Sequence, residues 1–351
     1  MAYGVIIVNE KQSPTFNLGD YVQALAALQY LPNGENPFYI ERDNLSDFHK
    51  DTDVKVIMNG WWMEEPDNFP PTECILPLYR SFHLRPKIEK EFFSEETISH
   101  LKKYQPIGCR DTNTAKMMRS HGIEAYYSSC LTLTLGISYK HTCRNSSPVY
   151  IVDPFVGKFI CKDMFRSICM MFRCVYAAVF KRALIRKVAH RIKETCPYPQ
   201  QGFALLLYST KICAVYGGTF ESALLEKATY YTHDIPSKAL ISHRERLDYA
   251  SQVLYCYSIA KFVITSRIHC GLPCLGMGTP VVFVAVDAIS PGRLGGILDL
   301  FRSAYISKGK CVLNRKDFSV KKIGLANSFP NKEEYKKYAE KLAFDCQNFF
   351  K

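Results

Sequence analysis

The chain has 351 residues, 47% hydrophobic and 22% charged, with a formal net charge of +12. That balance is globular and excludes a disordered or fibrous chain, while the length exceeds the usual single-domain size and points to two domains. No stretch reaches the roughly 18 uncharged apolar residues of a membrane-spanning helix. The opening "MAYGVIIVNE" reads as a strand rather than an export leader. Further strand-like runs are expected at residues 5–8, 37–40, 54–58, 107–109 and 125–127. Between the first two, "NLGDYVQALAALQYL" carries Leu25, Leu28 and Leu31 at helical spacing behind a polar start. Strands alternating with helices predict a mostly parallel sheet covered on both faces.

The polar, turn-rich segment 138–148 makes the best linker. A new strand series begins after it with "VYIVDP". The expected division is an N-terminal α/β domain at 1–140 and a C-terminal one at 148–325, with the two facing a cleft. An amphipathic C-terminal helix over 330–351 completes it.

The positive charge is uneven. Between residues 158 and 194 ten Lys or Arg stand against only Asp163 and Glu194. The stretch "FRSICMMFRCVYAAVFKRALIRKVAHRIK" is expected as one basic helix. It either packs on its own domain or lies on an anionic membrane surface. No recognised nucleic-acid motif accompanies it, so no nucleic-acid partner is expected. The fourteen cysteines are irregularly spaced without C-x-x-C, and predict a reducing, cytosolic compartment rather than a disulfide framework. Cys270 and Cys274, one helical turn apart, read as core residues rather than ligands.

The segment "FVITSRIHCGLPCLGMGTPVVFV" is apolar at both ends and interrupted by Ser266, Arg267 and His269. A buried strand at 262–265, a helix at about 270–277 closed by Gly278, and a second strand at 281–284 form a strand–helix–strand unit. Arg267 and His269 then stand where a parallel strand ends and a helix begins, the edge at which open α/β sheets bind ligands. The free N–H groups of the helix start add a preference for anions. Alternatively, Arg267 pairs with a local acid and His269 caps the helix.

"PIGCRDTNTAKMMRSHGIEAYYSSC" repeats the pattern in the first half, with Arg110 at a strand end and a helix stopping at His121-Gly122. Asp111 is read as a cap or as the orienting partner of Arg110, with Thr112 or Asn113 also able to cap. Near the start, Asn17, Gly19 and Asp20 mark another strand-to-helix transition. They account for an N-cap, or Asp20 orients or deprotonates a substrate hydroxyl. No G-x-G-x-x-G or P-loop is present. "NGWWM" at 59–63 is read as packing, with a sugar-stacking platform as the alternative.

Together, Asn17-Leu18-Gly19-Asp20, residues 107–136 and residues 260–284 resemble the polysaccharide pyruvyl transferase family. The likeness covers about 3–136 and 228–300; the basic stretch has no counterpart in it. The resemblance implies two Rossmann-like domains facing each other across a cleft, in a GT-B-like arrangement. It implies transfer of a pyruvyl group from phosphoenolpyruvate to sugar hydroxyls of a surface-polysaccharide precursor, as in exopolysaccharide or capsule synthesis. A ketal forms and phosphate is released. By that likeness Arg267 and Arg110 bind the donor from opposite sides, His269 is the general acid, and Asp20 serves the acceptor. Asn17, Gly19 and Ser266 line the site. Phosphoenolpyruvate is the donor substrate, with no further cofactor and no metal. The acceptor is a glycan or lipid-linked glycan. For the basic stretch, outside the resemblance, peripheral contact at the inner membrane face through 158–195 stands beside packing on its own domain as the alternative. Two alternatives stand beside this: a glycosyltransferase taking a nucleotide-sugar, and a non-catalytic assembly factor at the membrane surface.

Overall fold

The computed structural model describes residues 1–8, 13–32, 34–62, 65–157, 164–286 and 294–351. The first half contains β1 (Ala2–Ile7), β2 (Thr15–Asn17), α1 (Leu18–Leu28), β3 (Phe38–Glu41), β4 (Val54–Ile57), β5 (Trp61–Trp62) and β6 (Ile75–Leu78). It continues through β7 (His83–Leu84), α2 (Glu89–Phe92), α3 (Glu95–Lys103), β8 (Ile107–Cys109), α4 (Thr112–Ser120) and β9 (Ala125–Tyr127). A 3₁₀ segment, Leu131–Ile137, leads into the second half.

There follow β10 (Val149–Val152), α5 (Met164–Phe180), α6 (Arg182–Thr195), α7 (Gly202–Tyr216), α8 (Ser222–Lys227), β11 (Thr229–Tyr231) and β12 (Asp234–Pro236). The chain ends with α9 (His243–Ser258), β13 (Phe262–Thr265), α10 (Ile268–Met277), β14 (Val281–Val286), β15 (Arg302–Ser307), β16 (Lys310–Leu313) and α11 (Lys336–Phe350). The protein is therefore mixed α/β with parallel sheets.

The first sheet runs β3-β1-β4-β6, all parallel. The second runs β11-β10-β13-β14-β15-β16, parallel except for the β15–β16 hairpin. In it the chain moves outward from β10 to β11, then returns to lay β13 on the other side of β10. The crevice between the carboxyl ends of β10 and β13 is thus a topological switch point, where open α/β sheets take their ligands. β13 and β14 are buried at every position, as a sheet covered on both faces requires.

One apolar cluster joins the halves: Leu18 and Val22 of α1, Leu131 and Leu133 of the 3₁₀ segment, Leu254 of α9 and Leu272 and Leu275 of α10 share it. This middle layer packs very closely. A Cβ on Gly136 would lie 2.0 Å from the carbonyl oxygen of Gly276, and one on Gly276 would lie 2.1 Å from that of Leu133. Only glycine permits that backbone contact. The other face of the second sheet packs against α5–α8, with Ile151, Ile264 and Val282 meeting Val188, Ile192 and Ile212. A third cluster, including Val56, Phe82 and Leu101, fills the far side of the first half.

The basic stretch is two helices, not one: α5 ends at Phe180 and α6 starts at Arg182, with Lys181 in a non-helical conformation between them. Lys158 and Lys162 lie outside the described residues. Trp62 stacks on Phe82 at 4.4 Å between centroids and is 4% exposed, so it packs. The thirteen cysteines described are all free, and Cys270 and Cys274 are wholly buried. Among the described residues no helix is long and apolar enough to cross a membrane.

Candidate active site

A cavity of about 890 Å³ opens at the switch point. Asn17 and Arg110 enter it from the first half, and Asp153, His233, Asp234, Ser266, Arg267 and His269 from the second. The sequence-predicted residues Asn17, Arg110, Ser266, Arg267 and His269 thus converge, although up to 252 positions separate them. Gly19 and Asp20 stand just behind the lining.

A short ribbon accounts for the meeting of the two halves. β2 pairs antiparallel with β12, placing Asn17 opposite Asp234, and the Leu18 N–H donates to the His233 carbonyl at 2.8 Å. Asn17 then caps α1, its side-chain oxygen accepting from the Gly19 N–H at 3.2 Å. Gly19 abuts His269: a Cβ there would sit 2.8 Å from Nδ1 and 3.0 Å from Cβ of the imidazole. The weak-looking glycine of "NLGD" is therefore a contact residue of the histidine at the other end of the motif set.

Asp20 accepts from the side chains of Asn17 at 3.4 Å and Gln23 at 3.2 Å. Burial raises its pKa, with Arg42, Asn17 and Arg110 opposing. It touches the cavity through Asn17 rather than directly.

Arg110 follows β8 and is 1% exposed. Burial lowers its pKa, against the pull of Cys130, Asp111 and Asp20. Asp111 caps α4, accepting from the Thr114 N–H at 2.9 Å, and pairs with buried His83. The cap is therefore Asp111 rather than Thr112 or Asn113. Burial works to raise the Asp111 pKa, but His83, Arg110 and the Thr114 N–H outweigh it and hold the carboxyl below its ordinary value.

Arg267 caps the start of α10 in an extended conformation, and His269 lies in that helix's first turn, 9% exposed. The arginine is not an open anion receptor. Its Nε donates to Asp153 at 3.0 Å and an Nη donates to Asp234. Burial acts to lower its pKa, and the two carboxylates more than offset that and raise it. The local-acid pairing considered from sequence is thus realised. Ser266 accepts from the Phe155 N–H at 3.0 Å, which pins the loop after β10 against the end of β13.

Sequence reasoning passed over Asp153, His233, Asp234 and Lys211. Asp153 follows β10 as Arg267 follows β13, so the same strand-end rule finds it in "VYIVDP" once β10 and β13 are known to be neighbours. Its φ of +40° lies in the left-handed region, unusual outside glycine, and its carboxylate accepts from the His233 N–H at 2.8 Å. The His233 ring is wholly buried, with Nε2 and the Tyr257 hydroxyl hydrogen-bonded at 3.0 Å. Burial, reinforced by Arg267, pushes its pKa down to about 3, with Asp234 opposing. Its Nδ1 has no hydrogen-bond partner among the described residues. Lys211 of α7 completes a described lining that carries three cations (Arg110, Lys211 and Arg267) against the carboxylates of Asp153 and Asp234.

The model of one family, polysaccharide pyruvyl transferase, matches residues 17–288, from the first residue of the Asn17 cap to beyond β14. The chain belongs to the polysaccharide pyruvyl transferase family. The family match spans Asn17, Arg110, Arg267 and His269, and so covers both halves of the cavity wall. It makes the chain a transferase by family. No curated protein and no solved structure was found to match it.

Proposed function

We propose that this protein transfers the pyruvyl group of phosphoenolpyruvate to two hydroxyls of a sugar in a surface-polysaccharide precursor. The observation that carries the reading is the convergence of Arg110 and Asn17 with Arg267 and His269 on one cavity. Phosphoenolpyruvate brings a phosphate and a carboxylate. Arg110, Lys211 and the outward edge of Arg267 supply charge for them, and the N-terminus of α10 supplies backbone donors. Asp153 and Asp234 hold the Arg267 guanidinium in place, so its geometry is set before the donor arrives.

In this reading His269 delivers a proton to the methylene carbon of the donor, and positive charge develops at the adjacent carbon. One sugar hydroxyl adds there and loses its proton; the carbon–oxygen bond to phosphate then breaks. A second hydroxyl adds to the cationic carbon so formed and loses its proton, closing the ketal; one released proton restores His269 and inorganic phosphate leaves with the other. Gly19 sets where the imidazole sits, and Asp20 acts on the acceptor side through Asn17. The cavity exceeds what the donor needs, and Tyr198, Tyr231 and Phe155 in its wall offer faces for a sugar acceptor. The two halves would then form a GT-B-like pair working in the cytoplasm on a glycan or lipid-linked glycan.

Calorimetric titration with phosphoenolpyruvate tests the donor. Saturable binding that weakens in Arg110→Ala supports the reading. Binding of a nucleotide-sugar with no response to phosphoenolpyruvate overturns it in favour of glycosyl transfer.

A further inference from the structure

Helix α5 is apolar on the wrong side. Its inner face, with Met170 and Ala177, is buried against the second sheet's helical layer. Its outer face presents Ile168, Met171, Phe172, Val175, Tyr176, Val179 and Phe180 to solvent, with Phe172 67% and Phe180 71% exposed. These positions recur at intervals of three and four, so they form one continuous stripe. The start of α7, which packs beside α5, adds Phe203 (78% exposed), Leu206 and Leu207. Soluble surfaces scatter such residues singly; a contiguous patch of this kind marks a surface that meets something apolar.

The border of the stripe says what that is. Phe172 and Tyr176 also line a second cavity of about 600 Å³, together with Arg173, Lys181, Lys308 and Lys310. Four cations gather there, and no carboxylate is among the described lining residues. Lys308 and Lys310 come from the β15–β16 hairpin, whose Gly309 lies beside Met170 and Arg173 of α5 while β16 packs on α7. Lys181 donates to the Cys213 carbonyl near the end of α7 at 3.4 Å, a structural role that does not account for the other three. Aromatic and aliphatic side chains beside a cationic pocket match the layering of a membrane surface, where acyl chains lie beneath anionic headgroups.

α6 does not share this character. It buries Leu184, Ile185, Val188 and Ile192 and is an ordinary packing helix. The membrane contact considered for the whole of 158–195 therefore narrows to α5, extended by α7 and the β15–β16 hairpin. Leu207 belongs to the exposed patch and also to the wall of the candidate active-site cavity, which α7 continues with Tyr208 and Lys211.

We propose that the α5–α7 face seats this protein on an anionic lipid bilayer, with the mouth of the active-site cavity beside the headgroups. The face stands independently of the reaction assigned above.

Co-sedimentation of the full chain tests it, with vesicles of phosphatidylcholine alone and of phosphatidylcholine mixed with phosphatidylglycerol. The chain is expected to sediment with the mixed vesicles and to be released by salt. Phe172→Ser/Phe180→Ser should weaken that partition by about tenfold, and each neutralisation in Lys308→Gln/Lys310→Gln by about fivefold. All four side chains border solvent, and unchanged thermal melting checks that the variants remain folded. Absence of sedimentation, equal binding to the uncharged vesicles, or wild-type binding by both variants would overturn the proposal. So would a dimer in analytical ultracentrifugation that these substitutions dissolve while vesicles bind nothing, because the occupant would then be a second copy. Phosphoenolpyruvate titration reads the catalytic assignment separately, and its failure leaves the vesicle result standing.

Discussion

Gly19→Ala is the sharpest probe of how the two halves make one site. The added methyl would fall 2.8 Å from Nδ1 and 3.0 Å from Cβ of His269, and 3.2 Å from the Asn17 side-chain oxygen. Carbon atoms do not approach that closely, so the imidazole or α1 must move. His269 is 9% exposed on a helix whose neighbours Cys270, Leu272 and Leu275 are wholly buried, which leaves the ring little room. Overpacking of this kind costs about 1–3 kcal/mol. If His269 is the proton donor as proposed, its displacement by an ångström costs on the order of a hundredfold in turnover. Urea unfolding of the wild type, Gly19→Ala, His269→Ala and the double variant reads the stability term. Phosphate release from phosphoenolpyruvate in the presence of a glycan acceptor reads the catalytic one. The penalty of the added methyl should shrink in the His269→Ala background, giving a coupling of about 1–2 kcal/mol. Additive stabilities, or normal turnover by Gly19→Ala, would refute the claim that Gly19 positions His269.

His269→Ala itself should reduce turnover by about a hundredfold or more while leaving phosphoenolpyruvate affinity near normal; near-normal turnover removes the residue from the mechanism. Arg110→Ala should weaken donor binding by about 1.5–3 kcal/mol in calorimetry, as loss of a charged hydrogen bond predicts. Of the two acids on Arg267, Asp153 is the better buried, with 16% of its side chain exposed against 55% for Asp234. Asp153→Asn should therefore destabilise by about 1–3 kcal/mol and Asp234→Asn by less than about 1 kcal/mol, as denaturant midpoints would report. Equal costs would mean that burial does not rank the pair. His233 is held neutral by burial, with a folded pKa of about 3 against the ordinary 6.5. Below pH 6.5 the unfolded chain takes up a proton that the fold excludes. This site's share of stability thus falls by about 1.4 kcal/mol per pH unit as acid is added towards pH 3. In His233→Gln that share vanishes, and the stability difference from wild type should slope across this window. Parallel curves would contradict a buried neutral imidazole.

Strand β13 was legible because burial on both faces leaves a run of β-branched and apolar residues. The segments 107–109, 125–127 and 262–265 coincide with β8, β9 and β13. Gly278 closes α10 in the left-handed conformation, φ +86°, as its place after an apolar helix predicts. The two-residue strands β5 and β7 and the β2–β12 ribbon left no periodic signal, since two or three residues cannot display one. The basic stretch misled for a different reason. Its apolar residues are spaced helically throughout, but those of α6 face inward and many of those of α5 face outward. A hydrophobic pattern records that a stripe exists and not which way it points. The break at Lys181 lies between two helix-forming segments without a Gly or Pro to mark it.

The residues of the candidate site were legible one by one, whereas their connections were not. Arg267 and Arg110 stand at strand ends and His269 in the first helical turn beyond one, and strand ends can be found along a sequence. What Arg267 pairs with depends on which strands are neighbours: Asp153 comes within reach because β10 lies beside β13, and Asp234 because β12 returns across β2. Both pairings are long-range, and a single sequence carries no record of them. Their consequence is functional. In the proposed reaction, an arginine already paired on two edges is a wall element rather than a free receptor, so donor affinity would lean on Arg110 and Lys211 as much as on Arg267. On that reading the first half, which contributes Arg110 and the Gly19 contact to His269, is as much a part of the donor site as the strand–helix–strand unit β13–α10–β14.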